Sequence, residues 1–184
     1  VAGLGTALLP ERILAFNKRH PSIHFQLWEG SAARIVRLLN KGVIEVGIVP
    51  SGADWGDCHF IEMPSEPVMA ALPADWDKDP SARSIRLDEL AGLPLLVPRA
   101  ADGFVEMLKK RGHNPQVQCI HDDVRAAIAL ASGGLGVTFV LRSVSEIIKS
   151  PGVVYKELSD PPLAVGARVI WMKNRYLSTI TKHF

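Results

Sequence analysis

Residues 31–49, SAARIVRLLNKGVIEVGIV, decide the reading of this chain. Ser31 offers a side-chain oxygen to the free N–H groups of a helix's first turn. Ile35, Leu38 and Leu39 then recur at helical spacing and give that helix one apolar face. Gly42 closes it, because glycine takes the left-handed conformation that ends a helix at no steric cost. Ile44 to Val49 is nearly continuous in apolar residues, the pattern of a strand buried on both faces. A helix running directly into such a strand predicts a parallel sheet with right-handed crossovers.

The same rhythm extends in both directions. Upstream, Ile23, Phe25 and Leu27 alternate with His24, Gln26 and Trp28, a half-buried strand. Before it, Leu9, Ile13 and Phe16 mark a helix from about Ala7 to Arg19, with Pro10 tolerated in its first turn and Pro21 stopping it. Residues 1–5 read as the tail of a strand entering a glycine-rich turn. Downstream, a turn-rich stretch at 51–57 leads to a second unit that opens on a strand at Val68–Leu72. Asp88 heads a short helical turn, and Leu95–Val97 is a strand. Phe104, Leu108 and Arg111 lie along a helix ending at Gly112. A strand at Val117–Ile120 follows, and Asp122 is read as the cap of a helix from Asp123 to Ser132, whose buried face is Val124, Ala127, Ile128 and Ala131. Gly133 and Gly134 end it before a strand at Leu135–Val140. After Pro151, strands at Val153–Leu158 and Ala167–Met172 lead to a final helix. The expected fold is α/β, with two Rossmann-like lobes and the end of the chain returning to the first.

Composition narrows the function. The 184 residues are 47% hydrophobic and 22% charged, with a net charge of +2. That is the balance of a globular protein, not of a domain that grips phosphate backbones by itself. Cys58 and Cys119 are in neither a CxxC pair nor a metal-ligand spacing, and read as reduced thiols of a cytoplasmic protein. No apolar run reaches the roughly 18 residues that span a bilayer, so no membrane partner is expected.

Catalytic chemistry finds little support. His20 and His24 are four apart, but Pro21 and the strand after it deny them a shared helical face, so no metal site is expected. Ser31 lacks the flanking glycines of a nucleophile elbow. Gly133–Gly134–Leu135–Gly136 follows a helix and precedes a strand, whereas phosphate-cradling loops run from strand to helix. Lys18–Arg19–His20 and Lys109–Lys110–Arg111 each sit at a helix C-terminus, where cations oppose the negative end of the dipole. The sequence calls for no cofactor and no enzyme. What remains is three strand-to-helix turns, at Gly3–Thr6, Gly30–Ala33 and Ile120–Asp123. Their free N–H groups favour an anion, and ligands of open α/β sheets bind at such strand ends.

Across nearly the whole length the pieces resemble the effector-binding domain of LysR-type transcriptional regulators. They are Leu9–Pro10 with Phe16 and His20–Pro21, then Leu27–Trp28–Glu29–Gly30, then Leu38–Leu39–Asn40–Lys41–Gly42 running into Ile44–Glu45–Val46–Gly47–Ile48. Leu87–Asp88–Glu89–Leu90, Pro94–Leu95–Leu96 and Ala131–Ser132–Gly133–Gly134–Leu135–Gly136–Val137 follow in order. Pro98–Arg99, Arg125–Ala126–Ala127 and Pro151–Gly152–Val153–Val154–Tyr155 are similar to the branch that controls aromatic-compound breakdown.

The resemblance implies a fold like that of type II periplasmic binding proteins. Residues 1–65 with 167–184 would form one lobe and 66–166 the other, with an inducer in the cleft between them. It implies an antiparallel homodimer, with a dimer or tetramer for the full-length protein, and DNA binding through an N-terminal winged helix-turn-helix that precedes this stretch. Hydroxyl anchors usual in the family fall here on Gly3 and Ala32, and a pocket arginine of the aromatic branch falls on Pro50. Those three positions therefore supply no polar side chain. The expected effector-binding positions are these three together with Thr6, Ser31, Arg99 with its neighbour Ala100, Asp122, and Phe104 as an apolar wall, around a small anionic effector. A transporter's solute-binding protein and a transferase on the same two-lobed scaffold are the alternatives.

Overall fold

The structure, a computed structural model, describes Gly5, residues 8–101 and residues 103–184. Two compact units emerge: unit 1 is Val1–Ser65 with Gly166–Phe184, and unit 2 is Glu66–Val165.

In unit 1, helix α1 is Leu8–Arg19 and helix α2 is Ala32–Lys41. Ser31 caps α2 as its position predicts, its Oγ accepting the Arg34 N–H at 3.3 Å. Gly42 ends it at φ +70°, its N–H returning to the Leu38 and Leu39 carbonyls. The buried side of α2, Ile35 and Leu39, packs with Val49, Cys58 and Ile170. Strand β1 is Gly47–Pro50, three residues shorter at its start than the apolar run suggests. Gly47 lets α2 close on it: a Cβ there would stand 2.5 Å from the Ile35 Cγ2. Strand β1 pairs antiparallel with β8, Ala164–Met172, from Gly47 opposite Ile170 to Pro50 opposite Ala167.

The strand expected at 23–28 is a correction. Ile23 and Phe25 do turn inward while His24 and Gln26 stay exposed, yet the segment joins no ladder among the described residues. Alternation reports which side chains are buried, whereas a strand also needs a neighbour for its N–H and C=O groups. Phe25 finds its burial through rings instead, 6.1 Å from Phe16 and 5.7 Å from Phe184. The expected 1–5 segment and Ala7 lie outside the described residues, Gly5 excepted.

Unit 2 carries the larger sheet. Strand β2 (Cys58–Pro73) enters from unit 1, and β3 (Ser84–Ile85) and the single turn α3 (Leu87–Leu90) follow. Next come β4 (Pro94–Pro98), α4 (Gly103–Lys110), β5 (Gln116–His121), α5 (Val124–Ser132) and β6 (Val137–Leu141). Then come α6 (Arg142–Ile147) and β7 (Val153–Leu158), and the chain closes in unit 1 with α7 (Thr179–His183). Strand β4 is parallel to both β5 and β6. Strand β2 is antiparallel to β6 and β7, and β3 joins β7 in parallel.

The β4–α4–β5–α5–β6 path thus runs to one side of β4 and then back across it. Right-handed crossovers then put α4 and α5 on opposite faces. Packing agrees, because Leu108 of α4 joins Leu95, Val97, Val137 and Phe139 in one cluster, while Ala127, Ile128 and Ala131 of α5 are buried outside it. Helix α6 was not foreseen; its N-cap is Leu141, which offers no side-chain bond.

Candidate functional site

Because α4 and α5 leave on opposite faces, their loops part at the carboxyl ends of β4 and β5, the position where open α/β sheets take ligands. The end of β4 supplies Arg99 and Ala100, in a 3-10 turn at Arg99–Ala101. The end of β5 supplies His121, opposite Pro98 of β4, and then Asp122.

Arg99 Nε donates to Asp122 Oδ2 at 2.9 Å, and the two side chains are 64% and 71% exposed. Two candidate residues 23 positions apart are therefore brought together, though so exposed a pair stabilises the fold very little. Asp122 is not the helix cap. That part falls to Asp123, whose Oδ1 accepts the N–H groups of Arg125 and Ala126 at 2.9 and 3.4 Å. Adjacent aspartates can each cap, and the residue whose backbone is extended directly before the helix does so. Phe104, on the first turn of α4, stacks on Phe139 with centroids 4.3 Å apart and planes at 7°. Its ring is half-buried at the margin of the unit 2 core.

His121 is a contributor that the sequence did not single out. Its Nε2 lies 3.0 Å from Thr138 Oγ1, reaching across β4 to β6. Its Nδ1 is buried, and among the described residues no hydrogen bond within ordinary geometry reaches it. Burial pushes this imidazole below the usual histidine range, opposed by the Leu96 carbonyl and by Asp122 and Asp123.

Unit 1 holds the rest of the candidate set. Ser31 is exposed and Ala32 half-buried at the first turn of α2. The Ser31 oxygen serves the cap, which leaves its proton free to donate. Pro50 closes β1, and beyond it the Ser51 N–H donates to the Gly166 carbonyl while Ser51 Oγ donates to Glu62. Glu62 also pairs with Arg168, whose guanidinium lies 4.4 Å from the Trp55 ring centroid and 4.2 Å from that of Phe60. Gly3 and Thr6 lie outside the described residues. Glu45 has a structural partner, since it accepts the Ser178 N–H and Oγ–H at 3.1 and 2.9 Å and anchors α7. No group of His, Cys, Asp and Glu among the described residues could hold a metal ion, and no described helix is long and apolar enough to cross a membrane.

The features favour a class of protein that recognises a small ligand through turn geometry and a few polar anchors. The family model for the LysR substrate binding domain matches residues 1–184, and the chain belongs to that family. It is 25% identical over 182 residues to the transcriptional regulator AlsR of Bacillus subtilis (strain 168), a match covering 96% of this chain and 59% of AlsR. The chain thus spans about three-fifths of the length of that curated relative. The BenM effector-binding domain with its effector benzoate superposes with a TM-score of 0.77 at 21% identity, over 97% of this chain and 83% of that one. Full-length CbnR complexed with its target DNA gives a TM-score of 0.77 at 22% identity, over 94% of this chain and 62% of that one. These structures share the fold, an α/β architecture like that of type II periplasmic binding proteins. The family and its regulators do not favour the alternatives of a transporter's solute-binding protein or a transferase.

Proposed function

We propose that this chain is the effector-sensing part of a DNA-binding transcriptional regulator. Its effector would be a small organic anion, of the class met in aromatic-compound breakdown. The observation that carries the anionic reading is the exposed Arg99 guanidinium at the end of β4, which among the described residues pairs with an equally exposed Asp122. A bound carboxylate would gain charge-assisted bonds from that guanidinium, roughly twice as strong as neutral ones. In unit 1, the Ser31 hydroxyl and the first-turn N–H groups of α2 offer a second set of anion donors. The aromatic class is supported by Pro98–Arg99 and by the benzoate that BenM takes as its effector. Operator binding belongs to a segment outside this sequence, and the regulator works as a homodimer in the cytoplasm.

Calorimetric titration of aromatic carboxylates, benzoate among them, into the wild-type domain, Ser31→Ala and Arg99→Ala tests the assignment. Arg99→Ala is expected to cost about 1.5–3 kcal/mol, or roughly ten- to hundredfold in affinity. An acid that binds all three proteins equally well removes Arg99 and Ser31 from the site.

A further inference from the structure

Three strand ends of unit 2 meet at the other end of its sheet from Arg99. Strand β2 stops at Pro73, which lies opposite Val153 at the start of β7. Beside them α5 ends at Ser132, and the chain turns through residues 133–136 into β6. Because β4 and β6 are parallel, this is their amino end, whereas Arg99 follows the carboxyl end of β4. The turns enclose a hollow of about 230 Å³, with Asp75, Trp76, Ser132, Gly133, Gly134 and Gly152 in its walls. That is below the roughly 300–1,000 Å³ of pockets for drug-sized molecules, so it suits a smaller ligand. The walls are fastened to one another: the Ala74 N–H donates to the Gly152 carbonyl at 2.8 Å, and Ser132 Oγ donates to the Pro151 carbonyl at 2.6 Å.

The walls carry one charged side chain, and it is negative. Asp75 is exposed and makes no ion pair or hydrogen bond among the described residues. Its neighbours differ, since Asp77 holds Lys156 and Asp79 accepts the Ser81 hydroxyl at 2.6 Å. Among the described residues no basic side chain lines the hollow. Trp76 stands half-buried against the unit 2 core, and an indole attracts a cation better than the other aromatic rings do. The C-terminus of the nine-residue α5 adds roughly half a negative charge. The N–H groups of Gly133, Gly134 and Leu135 turn back to the carbonyls of Ala129, Ala131 and Leu130. That leaves the Ser132 and Gly133 carbonyls without a donor among the described residues. Ser132 Oγ gives its proton to Pro151 and so keeps lone pairs to accept with.

This donor set suits an organic cation and not a metal ion. Calcium takes roughly six to eight oxygen ligands, and Asp75 is the one carboxylate in the walls. A primary ammonium instead brings three N–H donors on a compact charge, matched to a carboxylate, a hydroxyl and free carbonyls. We propose that the hollow is a second ligand site of this chain, which takes a small primary alkylamine as its ammonium ion. Asp75 supplies the counter-charge, Trp76 the ring face, and Ser132 with the end of α5 the remaining acceptors. The site stands apart from the anionic effector reading, because it lies at the opposite end of α5 and prefers the opposite charge. A cation bound there opposes the negative end of the α5 dipole and steadies that helix.

The test titrates n-butylammonium chloride into the isotope-labelled chain and follows the Trp76 indole N–H by NMR. The chain has four tryptophans, and Trp76→Phe identifies the signal by its loss. Butylammonium is expected to shift that signal saturably at millimolar concentration. Sodium chloride at matched ionic strength and n-butanol, which has the same alkyl chain without the charge, should leave it in place. Asp75→Asn is expected to weaken binding several-fold, and Asp75→Glu, which keeps the charge, to recover most of it. No saturable shift, an equal shift with n-butanol, or equally tight binding by Asp75→Asn overturns the inference. Should Asp75→Asn not fold, the comparison of butylammonium with n-butanol on the wild-type chain decides. Neither arm involves Arg99 or Ser31, so the outcome is separate from that of the effector titration.

Discussion

The two units differ in charge and in how each holds itself together. Unit 1 has ten basic residues against six acidic, a net +4, while unit 2 has eleven against thirteen, a net −2, which together give the chain's +2. Among the described residues, unit 2 gathers one cluster from Val68, Leu72, Leu87, Leu95, Leu108, Phe139 and others. The described cluster in unit 1 rests on Ile35, Leu39, Val49, Cys58 and Ile170, while Leu14, Leu27, Trp28, Phe60 and Ile61 stay exposed. Unit 2 leaves Val117, Ile120, Leu130, Leu135 and Ile147 exposed as well, so the contrast is one of degree. For the second copy proposed above, the exposed apolar side chains would offer a surface.

The sharpest way to break this comparison is at the charged pair sealed inside unit 2. Lys156 on β7 meets Asp77 and the Asp79 carbonyl, with side chains 4% and 3% exposed for Lys156 and Asp77. The pair pins the stretch from Ala74 to Asp79 against the sheet. Asp77→Ala leaves a buried ammonium without its partner and is expected to cost about 3–5 kcal/mol in urea denaturation. The double change Asp77→Leu with Lys156→Met should restore much of that, since apolar groups of similar volume replace buried pairs at little cost. Leu39→Ala in the smaller unit 1 core is expected to lose about 2–5 kcal/mol, depending on how far the cavity collapses. If Asp77→Ala falls within 1 kcal/mol of wild type, unit 2 does not owe its firmness to this pair.

Local signals were legible wherever one residue type does one job. Ser31 and Gly42 bracket α2 because a hydroxyl cap and a left-handed glycine are read directly from sequence. The β4–α4–β5–α5–β6 run was legible because each element has its own period and stop. What the sequence did not show depends on who lies beside whom. Residues 23–28 have strand alternation but no described partner, and the 16-residue β2 starts ten residues before the expected Val68 and runs straight through Pro64 and Pro67. The Arg99–Asp122 pair and the His121–Thr138 contact required knowing that β4 lies between β5 and β6. Both aspartates at 122 and 123 suit a cap, and only the backbone chose between them.

The charge difference sharpens into a prediction about assembly. In an antiparallel pair, unit 1 of one copy would face unit 2 of the other, so the net charges oppose and attract. The proposed contact is assigned to the exposed Leu14 on α1 and Leu130 on α5. Leu14→Glu is expected to weaken the dimer by roughly 2 kcal/mol, about thirtyfold, in sedimentation equilibrium. Raising the salt should weaken it further by screening the opposed units. A dimer indifferent to both treatments uses another face.

The smallest effect compares two helix caps, one in each unit. Ser31 makes a single bond of 3.3 Å to α2, whereas Asp123 makes two, at 2.9 and 3.4 Å, and adds a negative charge at the positive end of α5. Asp123→Ala is therefore expected to cost about 1–2 kcal/mol and Ser31→Ala about 0.5–1 kcal/mol, both read from thermal unfolding. The order matters more than the sizes. A long neutral bond on an exposed serine contributes little to folding, so Ser31→Ala should stay fully folded at ordinary temperatures. Any loss of effector affinity in that variant then reports the hydroxyl's contact with the ligand and not damage to α2. Should Ser31→Ala prove more destabilising than Asp123→Ala, the serine is chiefly a structural cap. The anion donors of unit 1 then reduce to the backbone N–H groups of the first turn.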